Sequence, residues 1–420
     1  MTLLQHWRTF LLSALVVGAA AQPCKSQSNP EITYLDQGWS NDIRQQFYFT
    51  PQGSRIMPLR WFMALESADG SGMFASAGNL SRYGLIPSDQ ATNLNSGGLP
   101  IGFALDPNEG PEGQYVGLTC AACHTANLVV GKKTIRIDGA PSNFDFDLFY
   151  QDLAASARRT LRNPSAFKRF ADRVLANARD NPEENRQASL ISDPPAFESF
   201  PHGLVEPRVS SSSALKRLRL QFTEFESLIA GDAQIRKPVL ASGFGRVDAL
   251  TQIVNSLAAV DQKDPSNLRP VASPTSYPHL WLTPQLEFVQ WNTIAASPIG
   301  RNGGEVLGVF GASTLTGDAS NWFKSSLLPR ELHALEGWVK LLNPPKWDES
   351  IFGTIDGTAA SRGRDLFSKH CRSCHNSPPY NRTKPEDNLF KRTFITVSAV
   401  PYRAVGTDPV YIEAFGNRVV

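Results

Sequence analysis

Cys120-Ala121-Ala122-Cys123-His124 and Cys371-Arg372-Ser373-Cys374-His375 commit four of the five cysteines of a 420-residue chain to two copies of one short pattern. The spacing has a physical reason: one turn of chain brings two thiols to the two vinyl groups of a haem and carries the adjacent imidazole beneath the iron as proximal ligand. Each motif then anchors and ligates at once. The expected cofactors are two covalently bound c-type haems, attached through Cys120, Cys123, Cys371 and Cys374, with His124 and His375 as the metal ligands. Other uses of paired cysteines fit less well. Pairs in a zinc ribbon usually lie about 15–20 residues apart, whereas these are separated by most of the chain. A redox dithiol needs no following histidine, and a structural disulfide has no reason to repeat this spacing.

The other face of each iron is decided by counting donors. Behind the expected export signal only Met57, Met63 and Met73 remain, all before the first motif. Besides the two motif histidines there are His202, His279, His333 and His370, and none follows His375. His370 abuts Cys371 and is poorly placed to reach the opposite haem face. His279 sits in the apolar run Tyr277-Pro278-His279-Leu280-Trp281, where a hydrogen-bonded core histidine is the plainer reading. With so few donors, at least one iron is expected to be five-coordinate or water-ligated, the condition for a catalyst rather than a wire.

Outward from the motifs, residues 1–21 read as an export signal: Arg8, an apolar stretch from Phe10 to Gly18, and Ala19-Ala20-Ala21 before a mature start at Gln22. A periplasmic or secreted location follows, with no transmembrane segment in the mature chain. Cys24 reads as an unpaired thiol rather than a lipid anchor, because Pro23 precedes it. Hydrophobic residues at 41% and a net charge of +2 describe a folded chain with no electrostatic case for nucleic acid.

Helices are predicted over Asn41–Glu66 with breaks at Pro51, Gly53 and Pro58, over Ser165–Arg179 capped by Ser165, over Ser213–Ala230 stopped by Gly231, over Arg330–Leu342, and over Ala359–Lys369 running into Cys371. The Lys216, Arg217 and Arg219 trio reads as a solvated face, and Asp180–Ser212 as a surface excursion. Strand-like alternation is scarce. The expected fold is mainly α: two cytochrome c-like haem domains with long irregular loops, residues 22–330 around the first haem and residues 331–420 around the second.

Several stretches together resemble the rubber oxygenase branch of the bacterial di-haem cytochrome c peroxidase superfamily. They are Gly117-Leu118-Thr119 leading into the first motif, Arg136-Ile137-Asp138-Gly139-Ala140-Pro141, Gly243-Phe244-Gly245-Arg246-Val247-Asp248-Ala249, Val289-Gln290-Trp291-Asn292, Arg301 to Gly311, and Gly406-Thr407-Asp408-Pro409. The resemblance implies an exported enzyme that activates peroxide or dioxygen at the haem held by His124, with the second haem handling electrons and a redox protein or the small oxidant as partner. Glu305 or Phe310 is the candidate distal residue, a carboxylate for proton movement or an aromatic that keeps the pocket dry. Trp291 and Trp281 are candidates for a bridge between haems, and Arg246 with Asp248 for an ion pair or a propionate contact. Gly363 and Phe367 match the helix of a class I cytochrome c, in which glycine permits a second helix to cross. The family continues well past the point where this sequence stops, 45 residues after His375, so an incomplete second domain is expected. A non-catalytic di-haem electron carrier is the alternative.

Overall fold

The computed structural model describes residues 32–89, 92–110, 112–180, 211–296 and 298–416. The expected export signal, Cys24, His202 and most of the polar excursion lie outside the described residues. Among the described residues no helix is long and apolar enough to cross a membrane.

β1 (Ile32–Tyr34) leads to α1 (Asn41–Phe49), whose first turn is capped by the Ser40 hydroxyl accepting from the Ile43 N–H. β2 (Met57–Pro58), α2 (Leu59–Ala64) and α3 (Ala77–Ser81) follow, then β3 (Phe103–Leu105) and β4 (Tyr115–Leu118). β4 pairs antiparallel with both β2 and β3, in the registers Met57↔Val116 and Phe103↔Leu118. The first cysteine motif is a single turn, α4 (Cys120–Cys123). It opens directly into a hairpin of β5 (Thr125–Val130) and β6 (Lys133–Asp138), closed by the two residues Gly131 and Lys132, where Gly131 takes φ +60°. β1 joins β6 in parallel and completes a three-stranded sheet.

α5 (Phe146–Arg162) and α6 (Pro164–Asp180) meet at Asn163, whose side-chain oxygen accepts from the Ala166 N–H. Asn163, rather than Ser165, is therefore the cap. α7 (Ser211–Ile235) runs straight through Gly231 and lays Leu218, Phe222 and Ile229 inward, while Leu215 stays exposed. These helices and the β2-β4-β3 sheet enclose one core, in which Phe149 packs against Phe74, Phe103 and Phe144 at 5.6–6.0 Å between ring centroids.

β7 (Arg246–Val247) and β8 (Thr275–Ser276) form a third small sheet. α8 (Ala249–Val254) widens into a π-helical turn over Asn255–Asp261. α9 (Pro298–Gly308) and α10 (Pro329–Leu341) complete a second core, in which Val306, Leu332 and Leu335 meet Trp39, Phe47, Tyr48 and Ala121. α11 (Gly357–His370) precedes the second motif, and α12 (Val410–Gly416) packs against α8.

The mainly α expectation of two cytochrome c-like haem domains is corrected here. Among the described residues 45% are helical and 12% strand, with three small sheets, a mixed α/β structure. The hairpin escaped sequence reading because its inward positions include polar Thr134, Arg136 and Asp138, all buried, which erases the apolar alternation. The helix before the second motif is present, but none of its residues is buried, and a Cβ on Gly363 would meet nothing within 4 Å. The helix crossing expected of a class I cytochrome c domain does not occur at Gly363.

A buried carboxylate fastens the first core. Glu66, 7% exposed, accepts from Arg159 on α5 at 3.1 Å and from Arg169 and Arg173 on α6 at 2.7 and 3.1 Å. Hydrogen bonds from Arg169, then from Arg159 and Arg173, hold its carboxyl down at about 2 against the opposing effect of burial. A folded value below the ordinary 4.5 stabilises the fold above that pH, and the gain is lost as pH falls toward 2. Glu66→Gln is expected to cost about 2 kcal/mol at pH 7, a figure discounted for the partly exposed guanidiniums. The cost should shrink below pH 4.5 in chemical denaturation, and a pH-independent cost would contradict the assignment.

Candidate functional site

Sequence places the first motif by close approach. The Thr119 hydroxyl accepts from the Ala121 N–H at 3.3 Å and donates to the Tyr48 carbonyl at 3.0 Å, which starts α4 and ties it to α1. Gly102 runs alongside with φ +92°, and a Cβ there would lie 2.3 Å from the Ala122 backbone. Only glycine fits on both counts. Gly102→Ala is expected to destabilise the protein by about 3 kcal/mol in thermal denaturation, through strain and overpacking together. A change under 0.5 kcal/mol would show that the motif turn is not held by this contact.

The two thiols sit against the two cores. Cys120 Sγ donates to Gln52 Oε1 at 3.1 Å, and Tyr277 neighbours the Cys123 thiol. Burial pushes both thiols up to about 12, and the charge of Glu305 adds to the shift in each. Such thiols are neutral at physiological pH, which does not suit a reactive dithiol. Among the described residues no three His, Cys, Asp or Glu side chains converge as a metal-holding group, so the two cysteine pairs do not combine into one tetrahedral site.

His124 Nδ1 lies 2.9 Å from the Pro278 carbonyl oxygen. A carbonyl only accepts, so Nδ1 carries the hydrogen and Nε2 presents its lone pair, the tautomer a metal-ligating imidazole needs. Burial, the dominant cause, lowers the imidazole to about 4 and keeps it neutral. The Pro278 carbonyl is itself held on both sides. Tyr277 N–H donates to Gly245 O at 3.0 Å and Tyr277 OH to Phe144 O at 3.0 Å. Leu280 N–H donates to Gly139 O, and Gly139 N–H to His124 O, both at 2.9 Å. Behind Gly139, buried Asp138 accepts from Arg44 Nε at 2.7 Å and from the Tyr48 hydroxyl, while its carbonyl accepts from Trp281 Nε1 at 3.0 Å. The Arg136 to Pro141 stretch is thus the brace that sets the angle of the imidazole.

Glu305 lies on α9, and its negative charge raises both thiols. Burial pushes its own carboxyl up to about 7, opposed by a hydrogen bond from Gln290 Nε2 and by the charge of Arg301. Arg301 is in turn paired with Glu336 of α10. Phe310 has left-handed backbone, φ +68°; its carbonyl accepts from Arg55 N–H at 2.9 Å and its ring packs on Tyr150 at 4.9 Å. It belongs to the edge of the first core. Trp291 is 63% exposed and makes no ring contact among the described residues, so it does not line the site with Glu305. Trp281 stacks on exposed His279 at 5.1 Å. Asp248 is fully buried and accepts from Thr251, Ala272 and Ser273, not from Arg246, and its role is structural.

Sequence reading missed three contributors: the Pro278 carbonyl, Gln52 and the Gln290 amide. A backbone carbonyl leaves no sequence signal at all. Gln290 lay inside a stretch singled out for its resemblance, and its neighbour Trp291 drew the attention.

The second motif repeats the turn on the surface. Asp356 caps α11 by accepting from the Thr358 and Ala359 N–H groups, and His375 N–H donates to Cys371 O at 2.8 Å, as His124 N–H does to Cys120 O at 3.0 Å. Cys374 and His375 are exposed, as are Leu366 and Phe367. The segment following this motif pairs with the 285–287 stretch: Ile395 N–H donates to Gln285 O at 2.6 Å, and Glu287 N–H to Ile395 O at 3.0 Å. His333 and His370 are exposed.

The chain is 27% identical over 427 aligned positions to an uncharacterized protein, y4iJ, of Sinorhizobium fredii, an alignment that takes in 93% of this chain. The chain spans 66% of that relative's length. No family model and no solved structure matches it.

Proposed function

We propose that this chain is an exported di-haem c-type oxidoreductase, related to the di-haem cytochrome c peroxidase superfamily and its rubber oxygenase branch, that activates peroxide or dioxygen at the first haem and exchanges electrons through the second. One observation carries the reading: His124 is locked through Nδ1 on Pro278, one residue after two neutral thiols whose charged forms the Glu305 carboxylate disfavours. The donor set fits a c-type haem, because it offers two thiols for thioether bonds and one correctly protonated imidazole. When bound, such a haem supplies the electrons that reduce an oxygen–oxygen bond.

Cys120 and Cys123 hold the group, His124 ligates it, and the Pro278 carbonyl fixes the imidazole and raises its basicity. Glu305, near neutrality in its titration, holds or releases a proton at Oε1 or Oε2 at physiological pH. Gln290 orients that carboxyl, and Phe310 keeps the adjoining wall apolar. Cys371, Cys374 and His375 lie at the surface, where a redox protein can approach them.

The exposure of the second motif favours one other reading, a non-catalytic electron carrier. Spectroscopy of the exported protein separates the two. Pyridine haemochrome analysis should give two haems per chain, and the reduced protein should bind carbon monoxide at one iron. Two low-spin irons that refuse carbon monoxide would leave the carrier, and a chain without covalent haem would end both readings.

A further inference from the structure

The loop that carries Gln290 holds a second amide with no protein partner. Val289 and Ala295 close it as an antiparallel bridge, with Val289 N–H donating to Ala295 O at 2.8 Å, and the turn inside forces Gln290 to φ +68° and Thr293 to φ +57°. Two left-handed residues that are not glycine in a seven-residue loop are costly, on the order of 1–3 kcal/mol each, and such strain gathers at ligand sites. What the loop achieves is to aim two side-chain amides. Gln290 spends its Nε2 on Glu305. Asn292, two residues on, has both Oδ1 and Nδ2 sealed from solvent and without a hydrogen-bond partner. A buried amide left wholly unpaired costs about 1–3 kcal/mol per group, so the fold has a reason to meet it with something that both donates and accepts.

We propose that Asn292 is a ligand-binding residue of the first site, its side-chain amide meeting the O–H donor and the second oxygen of a hydroperoxide. A hydroperoxide offers a donor and an acceptor on adjacent atoms, the complement of a primary amide's carbonyl and NH₂. Gln290, two residues before Asn292 in the same loop, holds the Glu305 carboxyl, a group able to exchange a proton. Arg and Lys are absent from the 289–295 loop, so a carboxylate ligand has no charge partner on it. The inference rests on the oxidant-activating reading above and adds the group that recognises the oxidant.

The experiment uses the di-haem protein with hydrogen peroxide as substrate and, as probe on the iron-reduced, carbon monoxide-bound form, acetohydroxamic acid, which carries an O–H beside an acceptor oxygen. Asn292→Leu should raise KM for hydrogen peroxide at least tenfold with kcat changed less than threefold, weaken acetohydroxamic acid at least tenfold in calorimetric titration, and leave the melting temperature equal or higher. Asn292→Gln should recover part of the probe affinity if Asn292→Leu misfolds or loses haem. Unchanged KM and probe affinity, with a higher melting temperature, would show that the amide merely holds an internal water, and would overturn this assignment while sparing the oxidoreductase reading. A wild-type protein with two haems that neither consumes peroxide nor binds the probe would overturn both.

Discussion

Replacing Cys120 and Cys123 together by alanine is expected to lower covalently bound haem from two per chain to one, and the same double change at Cys371 and Cys374 to do likewise. Intact mass of the purified protein reads the result directly, as the loss of one haem mass. The two variants should then part company in stability. Cys120 and Cys123 pack against the cores that hold Phe47, Phe103 and Ala121, whereas Cys374 and the helix before it bury nothing. The first double variant should therefore lose several kcal/mol in denaturation and the second about 1 kcal/mol or less, by the usual contrast between core and surface changes. Retention of two haems in either variant would break the assignment of that motif.

The second large effect belongs to Glu305. Peroxide turnover in Glu305→Gln is expected to fall by about 10²–10³-fold, within the range of a positioned proton-transfer group. The pH profile of kcat/KM should carry a limb near pH 7 in the wild type, from the carboxyl that burial has pushed up to about 7, and the glutamine variant should lack that limb. Stability offers an independent reading. A carboxyl whose folded value lies above its ordinary 4.5 leaves the fold fully stable below that pH and takes stability away as pH rises through about 7. The wild type should lose up to about 3 kcal/mol across this window, and Glu305→Gln should lose nothing comparable. An activity limb that persists in the variant would mean that another group moves the proton.

How much of this was legible in the residues depends on where the information sits. The two cysteine motifs, α6, α7, α10 and the helix before Cys371 carry local signals, spacing and a 3.6-residue stripe, and these were readable with ends off by a few residues, whereas α5 was not read. The β5–β6 hairpin was not, because Thr134, Arg136 and Asp138 occupy inward positions and the partners of Arg136 and Asp138 include Asp89, Arg44 and Tyr48 from elsewhere in the chain. Glu305 was legible as a candidate, whereas its raised carboxyl is a product of burial that only the folded chain creates. Trp291 shows the opposite failure: a large aromatic beside useful residues reads as core, yet the strained turn at Gln290 throws it outward.

The unequal depth of the two motifs has a consequence for biogenesis. If both take a haem, the enzyme that joins vinyl groups to Cys120 and Cys123 reaches them most easily before the chain packs around them, since both are half-buried against the two cores in the finished fold. Cys374, in the open, sets no such deadline. Assembly of the mature protein would then run in a fixed order, with the inner cofactor serving as a template on which the chain condenses and the outer one added at leisure.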